Sequence, residues 1–242
     1  MSVRERLRQM LFETLYRNRY LYRFASTVPF AGQWRVWQRL VLPRVVGHDV
    51  LELGCGLGDL LADLCEQGYR CMAVERSPEM VAAARATLQR RRVGQPGQVL
   101  LGEAQHLPFA DASFDTVVST FPSDYIFDPD TIAEVARVLR PGGRLVVVEG
   151  ANLLPVGLLQ PVLLLVHLLV YGFYPRSSSL EERHRVVRVK RDETTGLTTE
   201  ELPATPFGRR IPLERYGLRR RAERVRSRRW EVYLTIGEKP SA

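Results

Sequence analysis

Twelve residues constrain this chain more than any others: Val50-Leu51-Glu52-Leu53-Gly54-Cys55-Gly56-Leu57-Gly58-Asp59-Leu60-Leu61. Val50 to Leu53 read as a short buried strand, and the apolar spacing from Leu60 reads as the start of an amphipathic helix. A glycine-rich turn joins them. Such a turn sets main-chain N–H groups and a helix N-terminus against an anionic or polar ligand, because glycine lets another surface approach the backbone closely. The glycine spacing narrows the ligand. A dinucleotide fingerprint, G-x-G-x-x-G, carries its third glycine one position further on. Here Asp59 holds that position, and the run is an acid, one spacer and G-x-G-x-G: Glu52, Gly54, Gly56, Gly58.

The elements downstream continue an alternation of strands and helices. Arg70 to Val74 read as a second strand ending at Glu75, 17 residues past Gly58. A carboxylate at such a strand tip can accept both hydrogen bonds of a ribose diol, so it points to an adenosine-containing ligand without saying which. Ser77 is the expected N-cap of the next helix, with Pro78 at its first position. Met80 either meets an adenine face or fills the core. Val99 to Leu101 make strand three, and Ile132 to Leu139 a further helix.

Four segments in this order carry a family resemblance: the glycine run; Gly102-Glu103-Ala104-Gln105-His106-Leu107-Pro108-Phe109; Ser113-Phe114-Asp115-Thr116-Val117; and Arg140-Pro141-Gly142-Gly143-Arg144-Leu145. Over residues 50–149 the chain resembles the class I S-adenosylmethionine (SAM) methyltransferases, and within them the ubiquinone/menaquinone-methyltransferase-like, type 11 group. The resemblance implies SAM as cofactor, held by Glu52, Gly54, Cys55, Gly56, Gly58, Glu75, Arg76, Met80, Glu103, Ala104 and Thr120. Glu103 stands where the family has an aspartate that receives the adenine amino group. His106 falls at a variable position and reads as a surface loop residue. After strand four many relatives carry a leucine and paired histidines; this chain has Phe121-Pro122-Ser123-Asp124-Tyr125-Ile126. Phe121 and Tyr125 are thus expected to shape the acceptor side, and the family's histidine base is missing, so the catalytic residue is left unassigned.

The implied fold is α/β: a Rossmann-like, doubly wound seven-stranded sheet with an antiparallel last strand, plus an apolar helical insertion after strand five. A single domain is expected, with an N-terminal helical cap (1–47), a cofactor-binding core (48–150), an insertion or lid (151–217) and a closing hairpin (218–240). In the cap, residues 3–24 suggest an amphipathic helix, and a second runs from Gln33 to Leu42 with Trp34 and Trp37 on one side. Residues 151–175 contain no Asp, Glu, Lys or Arg. Pro155, Gly157 and Pro161 leave about a dozen helical residues there, too few to cross a bilayer. The segment is read as a buried helix, a lid over an apolar pocket or an interfacial anchor. His167 in its middle is a packing residue or a substrate contact. Valines alternating with basic residues over 185–190 suggest a short strand, and Thr198 with Glu201 a capping box.

Cys55, Cys65 and Cys71 are the three cysteines. Their spacing with the histidines suits no metal, so none is expected, and the odd count suggests free thiols in a reducing, cytoplasmic setting. Met1 to Met10 lacks an apolar stretch behind its arginines and does not read as a secretory signal. The formal charge of +8 is uneven: +7 over residues 1–47 and +7 over 180–229, leaving an acidic middle. Basic flanks suit an anionic membrane surface or nucleic acid, or are merely solvated arginines.

The function expected is SAM-dependent methyl transfer to a small, hydrophobic or lipid-like acceptor, with the protein cytoplasmic and peripheral at a membrane. Two other readings stay open: a SAM-binding protein without transfer activity, and a nucleic-acid methyltransferase using the basic flanks. Against the last, the sequence shows no recognition module and no N/D-P-P-Y/F tetrapeptide. Oligomeric state is left open.

Overall fold

A computed structural model describes residues 32–153, 188–191, 196–206, 209–227 and 229–241. Strand β1 (Asp49–Leu53) runs through the glycine turn into helix α2 (Asp59–Glu66), which returns to β2 (Arg70–Glu75). Helix α3 (Pro78–Arg91) then leads to β3 (Val99–Leu101). Ser77 caps α3 by accepting the Met80 N–H, with Pro78 at the first helical position, as its sequence dictates. Strand β4 (Phe114–Thr120), helix α4 (Pro129–Val138) and β5 (Leu139–Leu153) complete the parallel half. Asp128 caps α4 through the Asp130 N–H. Upstream, the short helix α1 (Gln33–Gln38) runs on as a 3₁₀ turn, Arg39–Arg44, so the second helix expected in the cap is present in two pieces.

The sheet order is β3-β2-β1-β4-β5-β9-β8-β7-β6, where β6 is Arg188–Arg191, β7 Thr198–Leu202, β8 Arg219–Arg226 and β9 Trp230–Glu238. Pairings among β1 to β5 are parallel, and those from β5·β9 to β6·β7 are antiparallel. The Rossmann-like half and the closing β8–β9 hairpin are as expected. The strand number is not: the sheet has nine strands among the described residues, because β6 and β7 extend its antiparallel edge. Thr198 and Glu201, read as a capping box, lie in β7. The pattern T-x-x-E suits a strand equally well, and here Glu200 faces Arg224 across the β7–β8 ladder. The expected helices over 3–24 and 161–171 lie outside the described residues.

The core has two faces. On one, Val50, Val118, Val146, Val148 and Ile236 pack under Leu60, Leu61, Leu64, Leu88, Trp37 and Trp230. On the other, Leu51, Leu53, Val117, Leu145 and Val147 pack under Ile132, Val135, Leu213 and Leu218. The central parallel strands are buried on both faces, which is why β1 and β4 show no regular alternation of apolar and polar residues. At the amino ends of the strands, Asp115 accepts the His48 and Asp49 N–H groups, and Arg140 bridges Asp115 to Asp49. These contacts set the register of β1 against β4 and fix the opposite, carboxyl edge where the glycine turn lies.

Candidate functional site

At the carboxyl edge of β1 the chain takes three left-handed turns in succession: Gly54, Gly56 and Gly58 have φ of 69°, 53° and 74°. A side chain is disfavoured at each of these angles. Their surroundings differ. A Cβ on Gly54 would lie 2.8 Å from the Tyr125 hydroxyl. A Cβ on Gly58 would lie 2.8 Å from both Cα and Cβ of Ala84 in α3. So two of the three glycines make room for parts of this chain: one for a tyrosine, one for the α2–α3 contact.

Glu75, at the tip of β2, is buried, and its carboxylate accepts the Gly56 N–H and the Ser77 N–H, both at 3.0 Å. It thereby couples the glycine turn to the start of α3. Two carboxylate oxygens offer about four lone-pair positions, so capacity remains for a ligand's hydroxyls. Arg76 beside it is exposed. Glu52, one strand over, is 1% exposed, and its Oε2 has no hydrogen-bond partner among the described residues. Burial pushes its carboxyl well above the usual range; Arg35 opposes this and Glu75 adds to it. Cys55 is buried, and burial, then Glu52 and Glu75, push its thiol up. Cys55 is therefore an inert filler of the turn.

Glu103 is exposed and Ala104 buried at the carboxyl end of β3. Their loop is held from below by α4. Glu134 accepts the Leu107 N–H at 2.7 Å, and Arg137 donates to the Leu107 and Phe109 carbonyls while pairing with Glu134. Sequence reasoning missed this buttress, because its partners lie some thirty residues apart. Met80 is 0% exposed, so in this conformation it is a core residue with no surface to offer an adenine ring.

The tip of β4 carries aromatic groups. Phe121 has φ of 50°, rare for a bulky residue. Its N–H is held by the Val148 carbonyl at 2.7 Å. Trp34 of α1 stacks on Phe121 with ring centroids 4.0 Å apart, and Trp37 lies 6.2 Å from both Phe121 and Trp230. Gln38 reaches Thr120 Oγ1. Tyr125 donates to the Leu53 carbonyl at 3.0 Å and pairs with Ser119 Oγ at 2.7 Å, so it lies against the β1–β4 seam. Thr120, Phe121 and Tyr125 are thus brought beside the glycine turn. His167 lies outside the described residues.

Helix α1 is fixed in this place by one carboxylate. Asp63, on α2, is 4% exposed and receives Arg35 at 2.5 Å, Arg39 at 2.8 Å and Arg91 at 2.7 Å. Burial pushes its carboxyl up, and the Arg39 and Arg91 hydrogen bonds outweigh that, leaving it below the usual carboxylate range. Among the described residues no group of acids, cysteines and histidines could hold a metal ion, and no helix is long and apolar enough to cross a membrane.

The arrangement fits the sulfonium cofactor. The unpartnered buried oxygen of Glu52 suits a cationic amino donor, the Glu75 carboxylate suits a diol, and Gly54, the exposed glycine of the turn, presents main chain rather than a side chain. Comparison with known proteins agrees. Residues 51–147 match the family model described as "Methyltransferase domain". Demethylmenaquinone methyltransferase of Mycolicibacterium paratuberculosis is 39% identical over 132 residues, covering 53% of this chain and 54% of that protein. The same enzyme of Corynebacterium efficiens is 36% identical over the same shares. The chain thus spans about half the length of the curated relatives it matches. The crystal structure of the PH0226 protein from Pyrococcus horikoshii OT3 superposes with a TM-score of 0.52 at 21% identity, covering 85% of this chain and 90% of that one, which shows the fold. Residues 51–147 accordingly match a methyltransferase domain, and over 132 residues the chain is similar to the demethylmenaquinone methyltransferases.

Proposed function

We propose that the protein transfers the SAM methyl group to a small, hydrophobic, lipid-like acceptor. The observation that carries this reading is the aromatic wall at the β4 tip: Trp34 stacked on Phe121 beside the glycine turn, with Tyr125 on the neighbouring seam. Flat apolar faces there suit a flat apolar acceptor. The curated relatives' name, which speaks of demethylmenaquinone, is in keeping with it.

SAM supplies an electrophilic methyl on a sulfonium. In this reading Glu75 accepts hydrogen bonds from the ribose, Glu52 and the main chain at Gly54, Cys55, Gly56 and Gly58 hold the amino-acid end, and Arg76, Glu103, Ala104 and Thr120 border the rest. Phe121 and Tyr125 face the acceptor. Holding a nucleophile in line with the methyl supplies most of the rate enhancement such a site needs. No proton acceptor is assigned.

The membrane-surface proposal rests on the uncharged 151–175 segment and the basic N-terminal flank. The C-terminal arginines support it less than their number suggests. Within the basic C-terminal flank, Arg220 and Arg224 have side chains only 7% and 14% exposed, and Arg224 pairs with Glu200. Arg226 pairs with Glu231, and Arg44 with Glu223. The same pairing disfavours the nucleic-acid alternative, which needs cations directed at phosphates.

The test is transfer of labelled methyl from SAM into a demethylmenaquinol-containing lipid extract, with Gly56→Val as control. Label in a lipid product with the wild type alone supports the reading. Calorimetric SAM binding without any labelled product leaves the SAM-binding protein instead. Sedimentation with anionic liposomes at low and high salt checks the membrane part; wild-type protein that stays in the supernatant at both salts refutes it.

A further inference from the structure

The cofactor reading uses three strand tips at the carboxyl edge: Gly54 after β1, Glu75 on β2 and Glu103 after β3. The tips of β4 and β5 are left for the acceptor, across the β1–β4 boundary where the strand order reverses. Both of those tips are irregular. β4 ends its pairing with β5 at Thr120 and Val148. The next residue, Phe121, takes φ of 50°, and its N–H is held by the Val148 carbonyl. β5 carries a bulge at the same level. Its register against β9 passes from Val148–Leu234 to Gly150–Tyr233, so Glu149 is the extra residue of that ladder. A bulge beside a site re-aims a side chain.

The Glu149 carboxylate is held at both oxygens. Oε1 accepts the hydroxyl of Thr235, a buried residue of β9. Oε2 accepts the hydroxyl of Thr205 at 2.9 Å, from the segment that follows β7. These donors fix the carboxylate's orientation and leave about two lone-pair positions for another donor. Thr120, Phe121, Glu149, Gly150 and Thr205 are all half-buried, so this stretch of the edge is partly open to solvent. The other acids here have different partners. Glu52 and Glu75 line the glycine turn, Glu103 follows β3, and Asp124, with its side chain 82% exposed, pairs with Arg209.

We propose that Glu149 is the proton acceptor of methyl transfer, and that the acceptor carries a phenol-type hydroxyl conjugated to the atom methylated. The inference rests on the methyl-transfer reading above. A carboxylate takes a proton from a phenol far more readily than from an aliphatic alcohol, which fixes the class of hydroxyl. Burial pushes the Glu149 carboxyl above its usual range, with the Thr235 and Thr205 hydrogen bonds and then Arg220 opposing. Arg220, on β8, is the charged group that bears on it among the described residues. A raised carboxyl holds the transferred proton more firmly.

In the step, Glu149 takes the hydroxyl proton into a free lone pair and becomes neutral. The electron pair released forms the bond to the methyl carbon, at the oxygen itself or through the conjugated ring. The methyl–sulfur bond breaks with its pair left on sulfur, giving a neutral thioether. The carboxylate's negative charge and the sulfonium's positive charge disappear together. Where a ring carbon is methylated, its hydrogen then returns to the oxygen as the ring rearomatises.

The experiment pairs a carboxyl NMR titration of the ligand-free protein with the pH profile of labelled methyl transfer to demethylmenaquinol. Glu149→Gln keeps the shape and removes the acceptor. It should lower kcat by about 10²- to 10⁴-fold, abolish the acid limb of the profile and leave calorimetric SAM affinity unchanged. Thr205→Val removes a donor to the ionised form, so the Glu149 signal and the acid limb should both move to higher pH. Urea melts report whether each variant folds, and the Thr205→Val comparison decides alone if Glu149→Gln does not. Full turnover in Glu149→Gln, a slowed variant that keeps the acid limb, or a limb that stays put while Thr205→Val moves the Glu149 signal would each overturn the inference and leave the methyl-transfer reading standing. A wild type that transfers no methyl refutes that reading and the inference with it.

Discussion

Gly58→Ala separates the two uses a glycine can have in this turn. The third glycine of the run is naturally read as space for the cofactor. In the fold its neighbour is instead α3. A methyl on Gly58 would stand 2.8 Å from Ala84 Cα, 2.8 Å from Ala84 Cβ and 3.2 Å from the Ala84 carbonyl oxygen. Ala84 is 0% exposed, and its backbone is part of α3, so it cannot swing aside as a side-chain tip would. Two costs follow. An alanine at φ of 74° adds about 1–2 kcal/mol of left-handed strain. Overpacking against a helix backbone adds about 1–3 kcal/mol. The substitution should therefore lower unfolding stability by about 2–5 kcal/mol, read as an earlier urea midpoint at constant slope. SAM affinity of the fraction that remains folded, measured by calorimetry at low temperature, should fall by much less than that. Adding Ala84→Gly removes one of the two clashing atoms, so the double variant should be less destabilised than the two single losses summed. A Gly58→Ala protein as stable as wild type but unable to bind SAM would refute the reasoning and give the space beside the Gly58 Cα to the ligand.

Other outcomes follow from the same geometry. Glu75→Ala should weaken SAM by roughly 1–3 kcal/mol and also destabilise the apoprotein, because the Gly56 and Ser77 N–H groups lose their acceptor; calorimetry and urea melts report the two effects separately, and an undisturbed SAM affinity removes Glu75 from the site. Asp63→Asn leaves three guanidinium groups facing a neutral amide, at a cost of about 1–3 kcal/mol after allowing for the exposure of Arg39; hydrogen exchange should quicken over residues 33–44 while β5 is unchanged, and an equal response of both would deny Asp63 its role in docking α1. Arg70 first, with Arg140 assisting and burial opposing, holds the Asp49 carboxyl down at about 2. Its folded value is below its unfolded one, so its contribution is whole above about pH 4 and is lost as pH falls toward 2. Asp49→Asn should flatten that stretch of the stability–pH curve, and an unchanged curve would show that the ion pair contributes nothing.

The features legible in the sequence were those encoded within a few residues. Glycines at 54, 56 and 58, the acid at 75, and the Ser77-Pro78 cap all act on neighbours within one βαβ unit, and their spacing is their mechanism. The hidden features join residues far apart in the chain. Asp63 meets Arg35, Arg39 and Arg91, 24 to 28 positions away, and no local pattern marks a helix aspartate as the anchor of a cap. Tyr125 reaches the Leu53 carbonyl across 72 positions and so occupies the space beside Gly54. The antiparallel edge was obscured for another reason. β6 and β7 are short and mostly polar, and a Thr-Thr-Glu-Glu run satisfies a helix cap and a strand equally until a partner strand is known. Once β7 is placed against β8, Glu200 meets Arg224, and the charges that suggested a free basic surface become internal pairs. The glycine turn illustrates the general point. Its positive φ angles follow from residue type alone, but whether the space beside a glycine belongs to a cofactor, a tyrosine or a helix is decided by chain segments that the motif does not contain.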